Sequence, residues 1–315
     1  MVTSTQRFPT NRSDLLLAYV GMETDLIFNR GIDLPGFASY PLLESADGQE
    51  TLRRYFSEAI ELGRQFKVGT ILESPTWMAN LDRARDLGYG SQQLADFNRQ
   101  ALELMARVRA HANSPFEVVL SANIGPARDA YAPSEQMTVS QAQDYHQAQI
   151  AVLANGPAEI VSGYTLAYSA EATGIALAAR AHRLPVVISF TVETDGRLPT
   201  GETLEEAISQ VDDATDGYVS YFMINCAHPQ HFANTLEQAP WMLRVRGIVA
   251  NASLCSHAEL DEATELDDGD PVELGAQLAE LRRQYPQLLV LGGCCGTDLR
   301  HMTQIAEAAK GDHKA

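Results

Sequence analysis

Short apolar runs and amphipathic stretches alternate along this chain eight times, and that alternation restricts the fold more than any other feature. The apolar runs read as strands over 14–19, 68–72, 118–122, 159–162, 186–190, 220–224, 247–250 and 288–291. The stretches between and after them carry the helical spacing of apolar residues, over 48–66, 90–111, 140–154, 170–182, 201–212, 228–237, 271–285 and 299–309. Unbroken apolar runs predict strands buried on both faces, as in a parallel sheet. Eight such units predict an α/β fold of the (β/α)8 barrel type, the TIM barrel. A doubly wound open sheet is the rival. It requires a glycine-rich phosphate turn after the first strand, and Gly21-Met22-Glu23-Thr24 is not one. No Pro- or Ser-rich linker interrupts the pattern, so 1–315 is expected to be a single barrel domain, with 1–13 a flexible N-terminus.

The charge balance narrows the partners. With 23 Lys and Arg against 41 Asp and Glu the net charge is −18, which repels nucleic acid and acidic membrane surfaces. The first residues lack the apolar stretch of a secretion signal, and no window approaches a membrane span, which points to a cytoplasmic protein. Four cysteines in so long a chain, two of them adjacent, suit metal or redox chemistry better than a disulfide scaffold.

In a barrel of this type the reactive groups gather at the C-terminal ends of the strands. There the sequence places Glu73, Ser74, Thr76 and Trp77 after strand two, Asn123 after strand three, and Thr191 and Glu193 after strand five. Asn225 and Cys226 follow strand six, Asn251 and Ser253 follow strand seven, and Cys294 and Cys295 follow strand eight. A lone buried cysteine is commonly an apolar core residue. Three on one rim, two of them between glycines, instead favour Zn²⁺, and three protein ligands leave the fourth tetrahedral position open as in a catalytic site. The glycines of Gly292-Gly293-Cys294-Cys295-Gly296 are expected to let the chain turn tightly. Cys255 and His228 are left outside the metal shell.

The stretch Gly292 to Thr297 together with Asn225-Cys226 resembles the homocysteine S-methyltransferase family of zinc-dependent thiol methyltransferases. Weaker matches in the same order are Gly21-Met22-Glu23-Thr24 with Leu26, Gly31 to Leu34, Gly125-Pro126 and Tyr145 to Ile150. The resemblance implies a TIM barrel with zinc on Cys226, Cys294 and Cys295. A metal-bound thiol is deprotonated, so the open position suits a substrate thiol that attacks the methyl group of a sulfonium or quaternary ammonium donor. Trp77, Tyr164 and Tyr168 are candidates to face the donor's cation.

The chain departs from the family at two acidic positions. An Asp usually ends the first strand where Tyr19 stands, and a Glu-Thr pair usually ends the fourth where Tyr164-Thr165 stands. The amino group of homocysteine then needs another partner, for which Glu23, Asp25, Glu73 and Glu193 are available. The acidic run 265–270 reads as a solvated loop. The resulting expectation is a zinc-dependent S-methyltransferase that moves a methyl group from S-methylmethionine or S-adenosylmethionine to homocysteine, giving methionine. Substrate contacts are expected from Glu23, Thr24, Glu73, Trp77, Asn123, Tyr164, Thr165 and Asn225. The partners are then small molecules, the thiol acceptor and the methyl donor. The alternatives are a different thiol or selenol acceptor, or a non-catalytic zinc-binding barrel.

Overall fold

The computed structural model describes residues 15–311. The expected flexible segment 1–13, and Asp14 of the first strand, lie outside the described residues. Eight parallel strands close in sequence order into a barrel: β1 Leu16–Tyr19, β2 Gly69–Glu73, β3 Val118–Ile124, β4 Ile160–Leu166, β5 Val186–Phe190, β6 Tyr221–Asn225, β7 Val245–Ala250 and β8 Val290–Gly293. The helices that follow the strands are α1 Ala46–Phe66, α2 Ser91–Ala112, α3 Val139–Leu153, α4 Ser169–Ala181, α5 Leu204–Thr215, α6 Pro229–Phe232, α7 Pro271–Gln284 and α8 Leu299–Gly311, with shorter unlabelled helices at Met22–Thr24, Leu81–Asp86 and His257–Glu262. Among the described residues no helix is long and apolar enough to cross a membrane.

Helix α1 illustrates how sequence becomes packing. Ser45 caps it by accepting from Gly48 N at 3.0 Å, and Leu52, Tyr55, Phe56, Ala59, Ile60 and Gly63 recur at helical spacing to form its buried face. Alternate strand residues divide the core in two. Leu16, Ile71, Val119, Ile160, Val187, Met223, Val249 and Val290 fill the barrel interior, while the residues between them pack outward against the helices.

Three expectations need correction. The helix expected over 228–237 is one turn of α6 followed by short 3-10 segments at Ala233–Thr235 and Pro240–Arg244. Asn234 and Thr235 are weak helix formers, and Pro240 cannot extend a helix that precedes it. The strand expected over 288–291 runs instead from Val290 to Gly293, so the paired glycines lie inside β8 and not in a turn. A Cβ on Gly292 would stand 1.8 Å from the Ala18 carbonyl oxygen, so this glycine allows β8 to close against β1. Of the three glycines in this motif, Gly296 alone has the left-handed conformation expected of a turn, with φ +78°.

The β7 strand sets the spacing of the rim. Cys226 N donates to Val249 O at 3.1 Å on one side, and Cys294 N donates to Ala250 O at 2.7 Å on the other. Two strands that are not neighbours thereby deliver their cysteines to one height.

Candidate metal centre and substrate cavity

The three rim cysteines converge. Their sulfurs all lie within 4.8 Å of one another, and Cys226 Sγ to Cys295 Sγ is 3.6 Å. Cys226 is held in a left-handed conformation, φ +56°, which a residue with a Cβ adopts at a cost. Its carbonyl repays part of that cost by accepting from His257 Nε2 at 2.6 Å, Asn251 Nδ2 at 3.1 Å and Thr191 Oγ1 at 3.5 Å. Asn225, one residue earlier, accepts from Thr165 N at 3.0 Å and Ser189 Oγ at 2.6 Å, donates to Thr165 Oγ1 at 2.9 Å, and turns its amide toward Cys294 Sγ at 3.9 Å. Asn225 and Thr165 therefore fix the ends of β4 and β6 to each other.

Cys226 is the thiol that ionises first. The thiols of Cys294 and Cys295 donate toward it, and His257 and Tyr131 add to the pull, so its pKa falls well below the usual thiol value. The charge it then carries raises the other two. Tyr131 OH stands 2.9 Å from Cys226 Sγ, and its ring stacks on His257 with centroids 4.0 Å apart. His257 has an acceptor at each ring nitrogen, the Cys226 carbonyl and Glu193 Oε1 at 2.9 Å. Burial disfavours its cation, but the charge on Cys226 and the bond to Glu193 outweigh that and raise its pKa.

Above the sulfurs opens a cavity of about 390 Å³ at the C-terminal mouth of the barrel. Cys226, Cys294 and Cys295 line its floor; Val20, Phe28, Phe37, Trp77, Met78 and Leu266 give it apolar walls. A profile of the homocysteine S-methyltransferase family matches residues 20–309. The chain belongs to this family.

The homocysteine S-methyltransferase barrel is also recovered in solved structures. The oxidised form of the Escherichia coli homocysteine methyltransferase MmuM is similar with TM-score 0.73 at 19% identity, covering 94% of this chain and 96% of that one. For its metallated form the values are 0.70, 18%, 96% and 97%, and for its apo form 0.66, 17%, 95% and 96%. At these identities the likeness is one of fold. A comparison with curated proteins found no match.

Of the substrate contacts expected for a homocysteine S-methyltransferase, Glu23, Thr24, Trp77, Asn123, Tyr164 and Thr165 line the cavity. Glu73 and Asn225 are not among the lining residues. Thr24 also locks the cysteine loop: its hydroxyl donates to Gly21 O at 3.1 Å and accepts from Gly296 N at 3.2 Å. Glu73 points into the barrel interior near the hydroxyls of Ser121, Tyr164 and Ser162, yet neither carboxylate oxygen has a hydrogen-bond partner among the described residues. Burial pushes its carboxyl up to about 7, against the smaller downward pull of those hydroxyls.

The four carboxylates proposed for an amino group separate clearly. Asp25 is paired with Arg30 at 2.8 Å, Glu193 is engaged by His257, and Glu73 is away from the cavity. Glu23 alone of the four faces the cavity without a cationic partner, with Oε1 accepting from Ser39 Oγ at 2.6 Å. Burial raises its pKa and the Ser39 bond lowers it, with a net rise.

The two unusual tyrosines differ. Tyr19 belongs to the outer layer, stacked on Tyr55 at 4.7 Å, with its hydroxyl donating to Thr297 O at 3.4 Å. Tyr164 lines the cavity, and its carbonyl accepts from Trp77 Nε1 at 3.3 Å. Tyr168 is not among the lining residues, and its hydroxyl accepts from Met137 N at 3.1 Å. His228 caps α6 through Nδ1, which accepts from Gln230 N at 3.3 Å. The acidic run 265–270 is only partly a solvated loop, since Glu265 and Asp267 border the cavity and Asp267 accepts from Ser253 Oγ at 2.5 Å.

Tyr131 and Arg83 were absent from the sequence-based site, and His257 with them. Nothing in their spacing marks them: Tyr131 sits in the long connection between β3 and α3, His257 starts a short helix His257–Glu262, and Arg83 lies in another, Leu81–Asp86.

Proposed function

We propose that the protein transfers a methyl group from a sulfonium donor, S-methylmethionine or S-adenosylmethionine, to the sulfur of homocysteine, giving methionine. The observation that carries this reading is the triangle of three cysteine sulfurs, all within 4.8 Å, on the floor of the cavity. A tetrahedral Zn²⁺ with bonds of about 2.3 Å needs sulfurs roughly 3.8 Å apart, and the 3.6 Å between Cys226 and Cys295 suits it. Cys226, Cys294 and Cys295 would hold the ion, which supplies a Lewis acid that keeps a substrate thiol deprotonated at neutral pH.

The rest of the chemistry belongs to the chain. The homocysteine thiol loses its proton to solvent, its sulfur attacks the donor methyl carbon in line, and the carbon–sulfonium bond breaks with its electron pair going to the departing thioether. His257 and the Tyr131 hydroxyl stand beside Cys226 and offset the negative charge of a thiolate cluster. Phe28, Phe37, Met78 and Leu266 keep water from the methyl group. Glu23 receives the ammonium group of homocysteine, in place of the acids the family carries at the positions of Tyr19 and Tyr164.

The test is methionine formation by reduced, zinc-loaded protein given homocysteine with each sulfonium donor in turn. No methionine with either donor would refute the reading. Tyr164 on the cavity wall favours one second reading, in which the acceptor is a different thiol or selenol. Methylation of such an acceptor with homocysteine left untouched would establish it.

A further inference from the structure

The proposed chemistry leaves one cation of the cavity wall unused. Arg83 is the sole lysine or arginine lining the cavity among the described residues. Its Nη2 donates to Arg128 O at 2.7 Å, its Nη1 lies against Met78 Sδ, and its guanidinium carbon stands 5.8 Å from the Trp77 ring centroid. No carboxylate of the described residues pairs with it. Asp82, its neighbour, instead pairs with Arg85 at 3.5 Å and Arg128 at 3.7 Å. Asp129, also on the cavity wall, turns Oδ1 to the backbone N–H groups of Tyr131 and Ala132 at 2.8 and 3.0 Å.

Two other partly buried arginines contrast with it. Arg30 is neutralised by Asp25 and Glu58, and Arg244 by Asp212. A cation withdrawn from water is ordinarily paired, because desolvation is costly and an opposite charge offsets it. Arg83 meets a neutral carbonyl, a thioether and an aromatic face, and Nε makes no hydrogen bond among the described residues. A planar fork with donors to spare suits a carboxylate, which it binds with two parallel bonds. The carboxylates at the mouth, including Asp261, Glu265 and Asp267, repel such a group, and His257 already has an acceptor at each ring nitrogen, so Arg83 is where an anion is accepted.

We propose that Arg83 binds the α-carboxylate of an amino-acid substrate. The assignment rests on the methyl-transfer reading, in which acceptor and sulfonium donor each carry one such group. It makes Arg83 a residue that selects amino acids over the corresponding amines.

The experiment measures binding by calorimetry to the reduced, zinc-loaded protein. The acceptor pair is homocysteine and its decarboxylated analogue 3-aminopropane-1-thiol; the donor pair is S-methylmethionine and (3-aminopropyl)dimethylsulfonium. Wild type prefers the carboxylate-bearing member of at least one pair by about tenfold or more. In Arg83→Ala that preference falls to near unity while the amine binds as before, and Arg83→Lys, with charge but no fork, is intermediate. The pair whose preference collapses identifies the substrate. A preference unchanged in Arg83→Ala for both pairs overturns the proposal, as does a wild type that discriminates in neither. Zinc content equal to wild type certifies that each variant is folded. Binding without methyl transfer by the wild type would refute the proposed function, and the ratio would still decide the role of Arg83.

Discussion

Tyr131 places its hydroxyl 2.9 Å from Cys226 Sγ while its ring lies flat on His257, which holds the carbonyl of the same cysteine at 2.6 Å. One cysteine is therefore gripped at sulfur and backbone by two stacked rings. Neither ring comes from a strand, and both groups favour the ionised sulfur.

Replacing Tyr131 by Phe keeps the stack and removes the donor. Groups that orient metal ligands typically contribute about tenfold or more to affinity. Zinc affinity of Tyr131→Phe, measured by competition with a chelator, is expected to fall by about that factor. An affinity equal to wild type would show that the hydroxyl does not act on the sulfur.

Changing Cys294 or Cys226 to Ser removes one corner of the sulfur triangle. Metal analysis of freshly reduced protein should then give far less than one zinc per chain. Cys255→Ser serves as the control, because Cys255 lies outside the triangle and faces Asp267 at 3.8 Å. Its zinc content should match wild type.

Glu73 gives a pH signature. Its pKa rises from 4.5 to about 7 on folding, so between those values the folded state binds more protons than the unfolded one. Its contribution to stability is present in full at acid pH and is lost as pH rises through that window, a loss of about 3 kcal/mol at 1.36 kcal/mol per unit. Glu73→Gln should gain stability over wild type at pH 8 and lose the advantage towards pH 5. Chemical denaturation across that range checks it, and a difference independent of pH would refute the burial argument.

Gly292→Ala tests the seam between first and last strands. Its new methyl group would meet the Ala18 carbonyl oxygen at 1.8 Å, closer than any contact can relax without moving a strand. Overpacking of this kind costs about 1–3 kcal/mol or more. The melting temperature should drop clearly, whereas Gly90→Ala, where nothing lies within 4 Å of a Cβ, should stay near wild type.

The barrel and its three sulfurs were legible because both follow from periodicity. Apolar runs mark strands, and a closed order of eight brings the ends of β6 and β8 within reach. The register of β8 was legible only in part, since Gly292 and Gly293 read as turn residues until the approach of β1 is known. Tyr131, His257 and Arg83 escaped because the paths of their segments are set by remote contacts. The segment bearing Tyr131 starts where Glu171 accepts from Ala127 N at 2.7 Å, and Glu171 is held in turn by buried His146 at 2.9 Å. No local pattern encodes where such a segment lays down its side chains. The choice among carboxylates was likewise closed to sequence, because Asp25 and Glu193 look as free as Glu23 until Arg30 and His257 are seen beside them.

The β7 strand supplies no sulfur, yet it acts as the gauge block of the site. Gly247 sits in register with Met223 on β6 and Val290 on β8, and a Cβ there would come within 2.7 Å of Met223 Sδ and 2.9 Å of Val290 Cβ. A side chain at Gly247 would crowd Met223 and Val290 on the two staves that carry the cysteines, several residues below the sulfurs. The close packing of those two staves is thus written in the barrel wall, at a position that touches none of the three cysteines.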